Sequence, residues 1–315
     1  MTEPPAQFKS GFLAIVGRPN VGKSTLLNAL LGVKLAIATD KPQTTRNRIL
    51  GVQTYPERGQ LVFVDTPGIH AARDRLNKRM VDAAWDAAQQ TDAIVFVVDA
   101  RSLVHEREEV LWGGDKHIAD RLRTDAEGLP VVLVINKVDT LPNKNALLPT
   151  LARLAAEHSF AAMVPVSARR KDNLDGLVDA LLENLPEGPA LYPDDMLTNR
   201  AERFLAAEYV REQILRLTER EVPYSVAVEI EQFAENADDG RLYIRAVIHV
   251  ERNSQKAILI GKGGQRIREI GTAARHQLRQ FFGRSVHLET LVRVEGDWTA
   301  SEKTMDRFGY GADEI

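Results

Sequence analysis

The chain has 315 residues, a length that predicts two domains, and a formal net charge of −3 with 44% hydrophobic and 27% charged residues. That balance describes a soluble, globular protein with a buried core, and the absence of cysteine excludes a disulfide framework and a thiolate metal site. The stretch Met1 to Ser10 is polar and carries Pro4-Pro5, unlike a secretory signal, and no apolar run reaches the length of a membrane span; the expected location is cytoplasmic.

The first apolar run, Phe12 to Val16, predicts a strand. It leads into Gly17-Arg18-Pro19-Asn20-Val21-Gly22-Lys23-Ser24, and Thr25 to Leu31 predicts a helix. Strand, glycine loop ending in Gly-Lys-Ser, then helix is the setting of a phosphate-binding P-loop. Gly17 and Gly22 let successive backbone N–H groups converge on one anion, and the helix start adds the positive end of its dipole. In that role Lys23 reaches the β- and γ-phosphates and the Ser24 hydroxyl holds Mg²⁺. The polar stretch Val33 to Asn47 contains Thr44-Thr45-Arg46, and Arg48 to Thr54 predicts a strand. Leu61 to Val64 predicts another, ending in Asp65-Thr66-Pro67-Gly68. Asp65, at the C-terminal end of an apolar strand, is placed to hold Mg²⁺ through water, and the Gly68 N–H to meet the γ-phosphate.

A helix is expected over Leu76 to Gln89, a doubly buried strand over Ala93 to Val98, and a helix from Val104 to about Thr124, interrupted at Gly113-Gly114. A second doubly buried strand, Val131 to Ile135, ends in Asn136-Lys137-Val138-Asp139. The Asp139 carboxylate can accept hydrogen bonds from guanine N1–H and the 2-amino group, donors that adenine lacks there. An unpaired buried polar group costs about 1–3 kcal/mol, so such a site rejects ATP. Lys137 can lay its alkyl stem over the ring, and Asn136 can brace the loops. Asn145 to His158 predicts a helix, Met163 to Val166 a sixth strand, and Leu174 to Leu185 the last helix of the domain. Ser167-Ala168-Arg169 closes the sixth strand, where a backbone N–H could meet the guanine oxygen. Alternating strands and helices predict a doubly wound, mostly parallel α/β fold with ligands at the C-terminal strand ends.

Together these segments resemble the GTPase superfamily that includes Ras and the translation factors. Gly-Arg-Pro-Asn-Val-Gly-Lys-Ser at 17–24, Lys-Pro-Gln-Thr-Thr-Arg at 41–46, Asp-Thr-Pro-Gly-Ile-His at 65–70 and Asn-Lys-Val-Asp at 136–139 resemble the Era family of bacterial GTPases. Ile69 stands where Ras-like enzymes carry the glutamine that orients the attacking water. The resemblance therefore implies slow hydrolysis of GTP to GDP and phosphate, often helped by a monovalent cation, with Asn20 where some relatives ligate K⁺. It also implies that a switch threonine joins Mg²⁺ in the GTP state; of Thr44 and Thr45, the Thr-Arg pairing favours Thr45.

Pro and Gly concentrate in Leu185 to Pro189, which predicts a domain over 8–187 and a linker over 188–199. The second domain is expected over 200–297. An amphipathic helix, Arg200 to Thr218, presents Phe204, Ala207, Val210, Ile214 and Leu217 on one face. An alternating strand, Val226 to Phe233, turns at Asp238-Asp239-Gly240 into a partner strand, Leu242 to Val250. Two helical segments then flank Ile260-Gly261-Lys262-Gly263-Gly264, and a last strand runs from Ser285 to Val294. This resembles a type 2 KH domain, a smaller α+β module whose Gly-x-x-Gly loop clamps a single-stranded nucleic-acid backbone. Between Arg252 and Arg284, eight basic residues, among them Arg266, Arg268 and Arg275, face Glu269 alone, a net +7. Such a stripe would track phosphates. The tail, 298–315, is expected to form a short helix that packs on this domain.

The resemblance implies a role in small-subunit assembly, with the KH domain on single-stranded RNA near the 3′ end of the small-subunit ribosomal RNA and the switch segments carrying the nucleotide state. It also brings peripheral membrane association, which no anchor in the sequence demonstrates, and nothing calls for an obligate dimer. A nucleotide-dependent membrane or cell-cycle scaffold with a protein-binding KH-like domain stays open. A P-loop kinase is disfavoured by the guanine-reading motif.

Overall fold

The computed structural model describes residues 8–39, 41, 44, 46, 49–65, 85–86, 88–104, 109–219, 221–236 and 240–310. They divide into two compact units: the described residues up to 36, from 49 to 65 and from 85 to 199 form the first, and those from 37 to 46 and from 200 to 310 the second.

In the first unit six strands order as β2-β3-β1-β4-β5-β6. They are β1 (Lys9–Val16), β2 (Ile49–Tyr55), β3 (Gly59–Asp65), β4 (Ala93–Asp99), β5 (Val131–Asn136) and β6 (Ala162–Pro165). All pair in parallel except β2 with β3. The apolar runs behave as doubly buried strands should: every residue of β4 is buried, and Val132 to Ile135 of β5 are wholly inaccessible. Helices α1 (Lys23–Leu31), α2 (Gly113–Asp125), α3 (Leu147–Glu157) and α4 (Leu174–Glu183) accompany the sheet. The helix expected from Val104 instead begins at Gly113, whose backbone is left-handed at φ 57°, so the glycine pair starts it rather than interrupting it. The helix expected over Leu76 to Gln89 lies almost wholly outside the described residues. Because β1 has β3 on one side and β4 on the other, the chain reverses its winding direction beside β1, and the loop after β1 opens at that point.

The linker is part of this unit rather than a free tether. Gly188 N–H donates to Phe8 O (3.0 Å) and Val52 N–H to Leu197 O (2.9 Å). Gln60, completely buried, donates from Nε2 to Tyr192 O (2.8 Å) and accepts at Oε1 from the N–H groups of Leu191 (2.8 Å) and Tyr192 (2.9 Å).

The second unit holds α5 (Glu202–Leu217), β7 (Ala227–Glu235), β8 (Leu242–Val250), α6 (Asn253–Ile260), α7 (Gln265–Phe282), β9 (Val286–Val294) and α8 (Glu302–Arg307). The sheet order is β7-β8-β9, with β7 antiparallel and β9 parallel to β8. On α7, Ile270, Ala274 and Leu278 recur four apart and are fully buried, each large side chain contributing about 1.5–3 kcal/mol. The tail packs here as expected: Trp298 is inaccessible and donates from Nε1 to Ser225 O (2.9 Å), and Phe308 sits 4.3 Å from the His249 ring. Ala227, the register partner of His249, is buried as well.

The polar side of α5 is buried too, contrary to simple amphipathicity. Segment 37–47 packs within this unit, and Arg211, salt-bridged to Glu208 (2.7 Å), donates from Nη2 to Thr44 O (2.5 Å). Arg46 is 2% exposed and donates to the carbonyls of Val226 (2.7 Å), Tyr224 (2.8 Å) and Pro223 (3.1 Å). Among the described residues no helix is long and apolar enough to cross a membrane.

Candidate functional site

Residues Gly17 to Gly22 leave the end of β1 and turn into α1. Asn20 adopts a left-handed φ of 66°, and Gly22 a φ of 101° at the N-cap of α1, where no side chain caps the first turn. Gly22 has no side chain to cap α1, and the helix start turns its N–H groups toward the loop, the geometry that receives an anion. A Cβ on Gly22 would lie 2.4 Å from Asn136 Nδ2, so only glycine fits. Lys23 is buried and spans the loop, donating from Nζ to Gly17 O (3.0 Å) and Arg18 O (3.2 Å). Ser24 and Thr25 follow it in the first turn. Arg18 is fixed by α2: Nε lies 2.8 Å and Nη2 2.7 Å from the Asp115 carboxylate, which also accepts from Ser102 Oγ (3.2 Å).

The loop after β5 is hydrogen-bonded to this one. Asn136, 2% exposed, donates from Nδ2 to Val21 O (2.9 Å), and its Oδ1 accepts from the N–H groups of Lys137 (2.7 Å) and Ala168 (3.0 Å). Of the Ser167-Ala168-Arg169 backbone, one N–H of which was expected at the guanine oxygen, the Ala168 N–H is engaged by Asn136. Val138 is buried and its N–H donates to Val166 O (3.2 Å). Asp139 accepts at Oδ1 from the buried Ser167 hydroxyl (2.6 Å), which leaves Oδ2 available, with Arg170 Nε 3.8 Å away. Lys137, at a left-handed φ of 65°, donates from Nζ to Asn20 O (2.5 Å) and lies 3.0 Å from Asp99 Oδ2. Asp99 also accepts from Arg101 Nη2 (2.8 Å) and Nε (3.1 Å). Burial alone would raise the Asp99 carboxyl, but the Arg101 guanidinium and the Lys137 ammonium outweigh it and hold the pKa at about 2.

The hard donor set for Mg²⁺ is a hydroxyl and a carboxylate. Ser24 lies in the first turn of α1, and the register pairs Asp65 with Ile15, next to the end of β1. Those positions fit the ion. Thr45, Thr66, Pro67, Gly68, Ile69 and the side chain of Asp65 lie outside the described residues. Thr44 is described: its hydroxyl donates to Lys41 O (2.7 Å) and lies 3.0 Å from Thr39 Oγ1.

In the second unit Ile260 ends α6, and Gly261, Gly263 and Gly264 all take left-handed φ values (69°, 59° and 74°) around an exposed Lys262. Arg268 Nη2 donates to Gly263 O (2.7 Å), bracing the loop. Arg268, Arg275 and Arg279 are exposed on the face of α7 opposite its buried stripe. Arg266, expected on the same surface, turns inward and donates from Nη1 to Leu217 O (2.8 Å).

Sequence reasoning passed over Asp99, Asp115 and Gln60. Asp99 carries the same signal as Asp65, an acidic residue closing an apolar strand, and was recoverable by the same argument. Nothing local marks Gln60, because its partners lie 131 and 132 residues away.

Residues 12–137 match the family described as 50S ribosome-binding GTPase, and 221–299 match the KH domain family. Over 98% of its length the chain is 49% identical to the whole of GTPase Era from Xanthomonas axonopodis pv. citri (strain 306), and it is likewise 49% identical to GTPase Era from Geotalea daltonii. A solved structure of Era in complex with MgGDPNP and nucleotides 1506–1542 of 16S ribosomal RNA superposes with a TM-score of 0.90 at 41% identity, covering 96% of this chain and 99% of that one. An Aquifex aeolicus Era variant bound to GDP and tetrafluoroaluminate matches at a TM-score of 0.89 and 41% identity, covering 96% of this chain and all of that one. Matched along nearly its full length in both sequence and fold, the chain belongs to the Era family of GTPases.

Proposed function

We propose that this protein binds and hydrolyses GTP in the first unit, binds single-stranded RNA at the 3′ end of the small-subunit ribosomal RNA through the KH unit, and acts in small-subunit assembly. The observation that carries the reading is that the phosphate loop and the base loop form one hydrogen-bonded assembly, through Asn136 to Val21 and Lys137 to Asn20. A nucleotide that fills one end meets the other already in place.

The phosphate chain lies on the Gly17 to Thr25 backbone, and Lys23 exchanges its two loop carbonyls for phosphate oxygens. Ser24, Asp65 and Thr45 would hold Mg²⁺, which screens the phosphate charge when bound. Thr45 is favoured over Thr44 because the Thr44 hydroxyl is already engaged with Lys41 and Thr39. Asp139 reads the guanine edge. With Ile69 unable to orient water, charge developing in the transition state falls to Lys23 and the Gly68 N–H, and Asn20 would hold a K⁺ ion that, when bound, would supply further positive charge there.

The RNA backbone lies on Gly261 to Gly264 and on Lys262, and follows Arg268 and Arg275 along α7. The complex of the related Era with a 16S fragment favours small-subunit RNA over the 50S binding that characterises the wider GTPase family matched by residues 12–137. The protein works in the cytoplasm; peripheral contact with the membrane is carried by the family resemblance alone.

The test is binding of labelled small-subunit 3′-end RNA with a GTP analogue, with GDP and without nucleotide. Tighter binding in the GTP state, steep weakening with salt and loss in Gly263→Asp are expected. Indifference to nucleotide would remove the coupling, and no binding would remove the RNA role.

A further inference from the structure

We propose that Asp99 is a positioning residue for guanine-nucleotide binding: its carboxylate holds the Lys137 ammonium and so locks the base loop onto the phosphate loop. The proposal rests on the reading of 136–139 as the base-reading loop. Asp99 ends β4 and pairs in register with Asn136, the residue before Lys137. The contacts run in a chain: Asp99 Oδ2 is 3.0 Å from Lys137 Nζ, and that nitrogen is 2.5 Å from Asn20 O. The ends of β4 and β5 and the phosphate loop are thus tied through one ammonium.

The tie matters because of what Lys137 has to do. Its four-carbon stem carries about 2 kcal/mol of rotamer entropy, which a ligand stacking beneath it would otherwise have to quench. Two anchors at the far end fix the stem before the ligand arrives. The residue's left-handed backbone also needs support from its surroundings, since that conformation costs about 1–3 kcal/mol outside glycine. The Asp99 side chain is 12% exposed and that of Lys137 28%, so solvent screens the pair only in part. Arg101, by contrast, is 60% exposed and reaches Asp99 from outside. It steadies the carboxylate without touching either loop.

A purely structural role has to be separated from this one. Asp99 Oδ1 also accepts from the Arg101 N–H (3.0 Å), capping the short turn Ala100–Ser102. Asparagine caps as well as aspartate does, so Asp99→Asn keeps the cap at Oδ1 while it removes the charge and puts an NH₂, which cannot accept from the Lys137 ammonium, in place of Oδ2.

The experiment uses the full chain, with affinities for GDP and a non-hydrolysable GTP analogue measured beside GTP turnover. Asp99→Asn should weaken both nucleotides about tenfold, the effect of a partly screened charge-assisted hydrogen bond, while kcat at saturating GTP stays within a factor of two. Asp99→Glu, which keeps the charge, should recover binding to within about threefold of wild type. In the Lys137→Met background Asp99→Asn should change affinity less than about twofold, and Arg101→Ala alone should do the same in the wild type. Unchanged binding in Asp99→Asn, an equal loss in the Lys137→Met background, or an equal loss from Arg101→Ala would overturn the proposal. A wild-type protein that binds adenine and guanine nucleotides alike would instead remove the base-loop reading beneath it.

Discussion

Replacing Asp139 by asparagine should redirect this protein from guanine to xanthine, and the structure fixes which way the new amide faces. The Ser167 hydroxyl is buried and accepts from the Arg170 N–H (3.2 Å), so its own hydrogen points to Asp139 Oδ1 (2.6 Å). In Asp139→Asn the amide oxygen has to take that position, because an NH₂ there would face a donor. The amide nitrogen then stands where Oδ2 now stands, toward the base. Guanine loses two hydrogen bonds to a charged acceptor, each worth about 1.5–3 kcal/mol, so GTP affinity should fall by about 10²–10⁴. Xanthine, with an oxygen at its 2-position, gains a donor. Competition against labelled GDP measures both, and xanthosine triphosphate should displace it better than GTP does. Adding Ser167→Ala releases the amide to rotate and should return part of the GTP affinity. GTP binding within tenfold of wild type, or no gain for xanthine, would refute the assignment of Asp139 and the orienting role of Ser167 together.

Hydrolysis should be faster in potassium than in sodium at equal ionic strength, and Asn20→Ala should abolish the difference; equal initial rates in the two salts would exclude a K⁺ ligand at Asn20. Gln60→Leu, which strands the Leu191 and Tyr192 N–H groups against an apolar side chain, should destabilise the first unit by about 2–4 kcal/mol and speed amide exchange at 191–192. A shift in urea midpoint worth less than about 0.5 kcal/mol would show the linker to be held by other contacts. Burial holds the His249 imidazole below its ordinary value of 6.5 despite Glu229 at 3.1 Å and Glu295, with Arg307 acting in the same direction as burial. The unfolded chain therefore takes up the proton first as pH falls. Stability of the second unit should be complete above pH 6.5 and decline as pH falls through that value toward the lower folded one; His249→Phe should flatten that part of the profile, and an unchanged slope would assign it elsewhere.

The legible parts of this molecule are those whose physics is local. Apolar runs long enough to be buried on both sides gave β1, β4 and β5, and the phosphate loop and the base loop stand directly after β1 and β5. The Gly-x-x-Gly loop of the second unit stood out because the helix after it alternates a buried stripe with unopposed arginines. What escaped depends on partners far along the chain. The burial of Arg46 and Arg211 follows from segment 37–47 packing within the second unit, which no periodicity of α5 could announce. Arg266 looked like one more member of a basic stripe, yet Leu217 O claims it from 49 residues away. Pro and Gly content marked 188–199 as a linker, but composition says nothing of the buried Gln60 that hydrogen-bonds to it.

Local strain reaches the nucleotide site by a route independent of its motifs. Among the described residues, six that are not glycine have a left-handed backbone, and four of them, Asn20, Lys137, Lys171 and Asn173, lie on the phosphate loop, the base loop or the turn after Ser167. Each costs about 1–3 kcal/mol and persists only where neighbours over-determine it. At Asn20 and Lys137 they do so mutually, through the hydrogen bond from Lys137 Nζ to Asn20 O. At Lys171 and Asn173 the paired bonds between Ser167 and Asp172 (3.2 and 3.1 Å) close the turn that seats the Ser167 hydroxyl against Asp139. A stretch of chain chosen for stability alone would relax these angles. Holding them keeps the carbonyl of residue 20 and the carboxylate of residue 139 in fixed places on the two loops where a guanine nucleotide would lie.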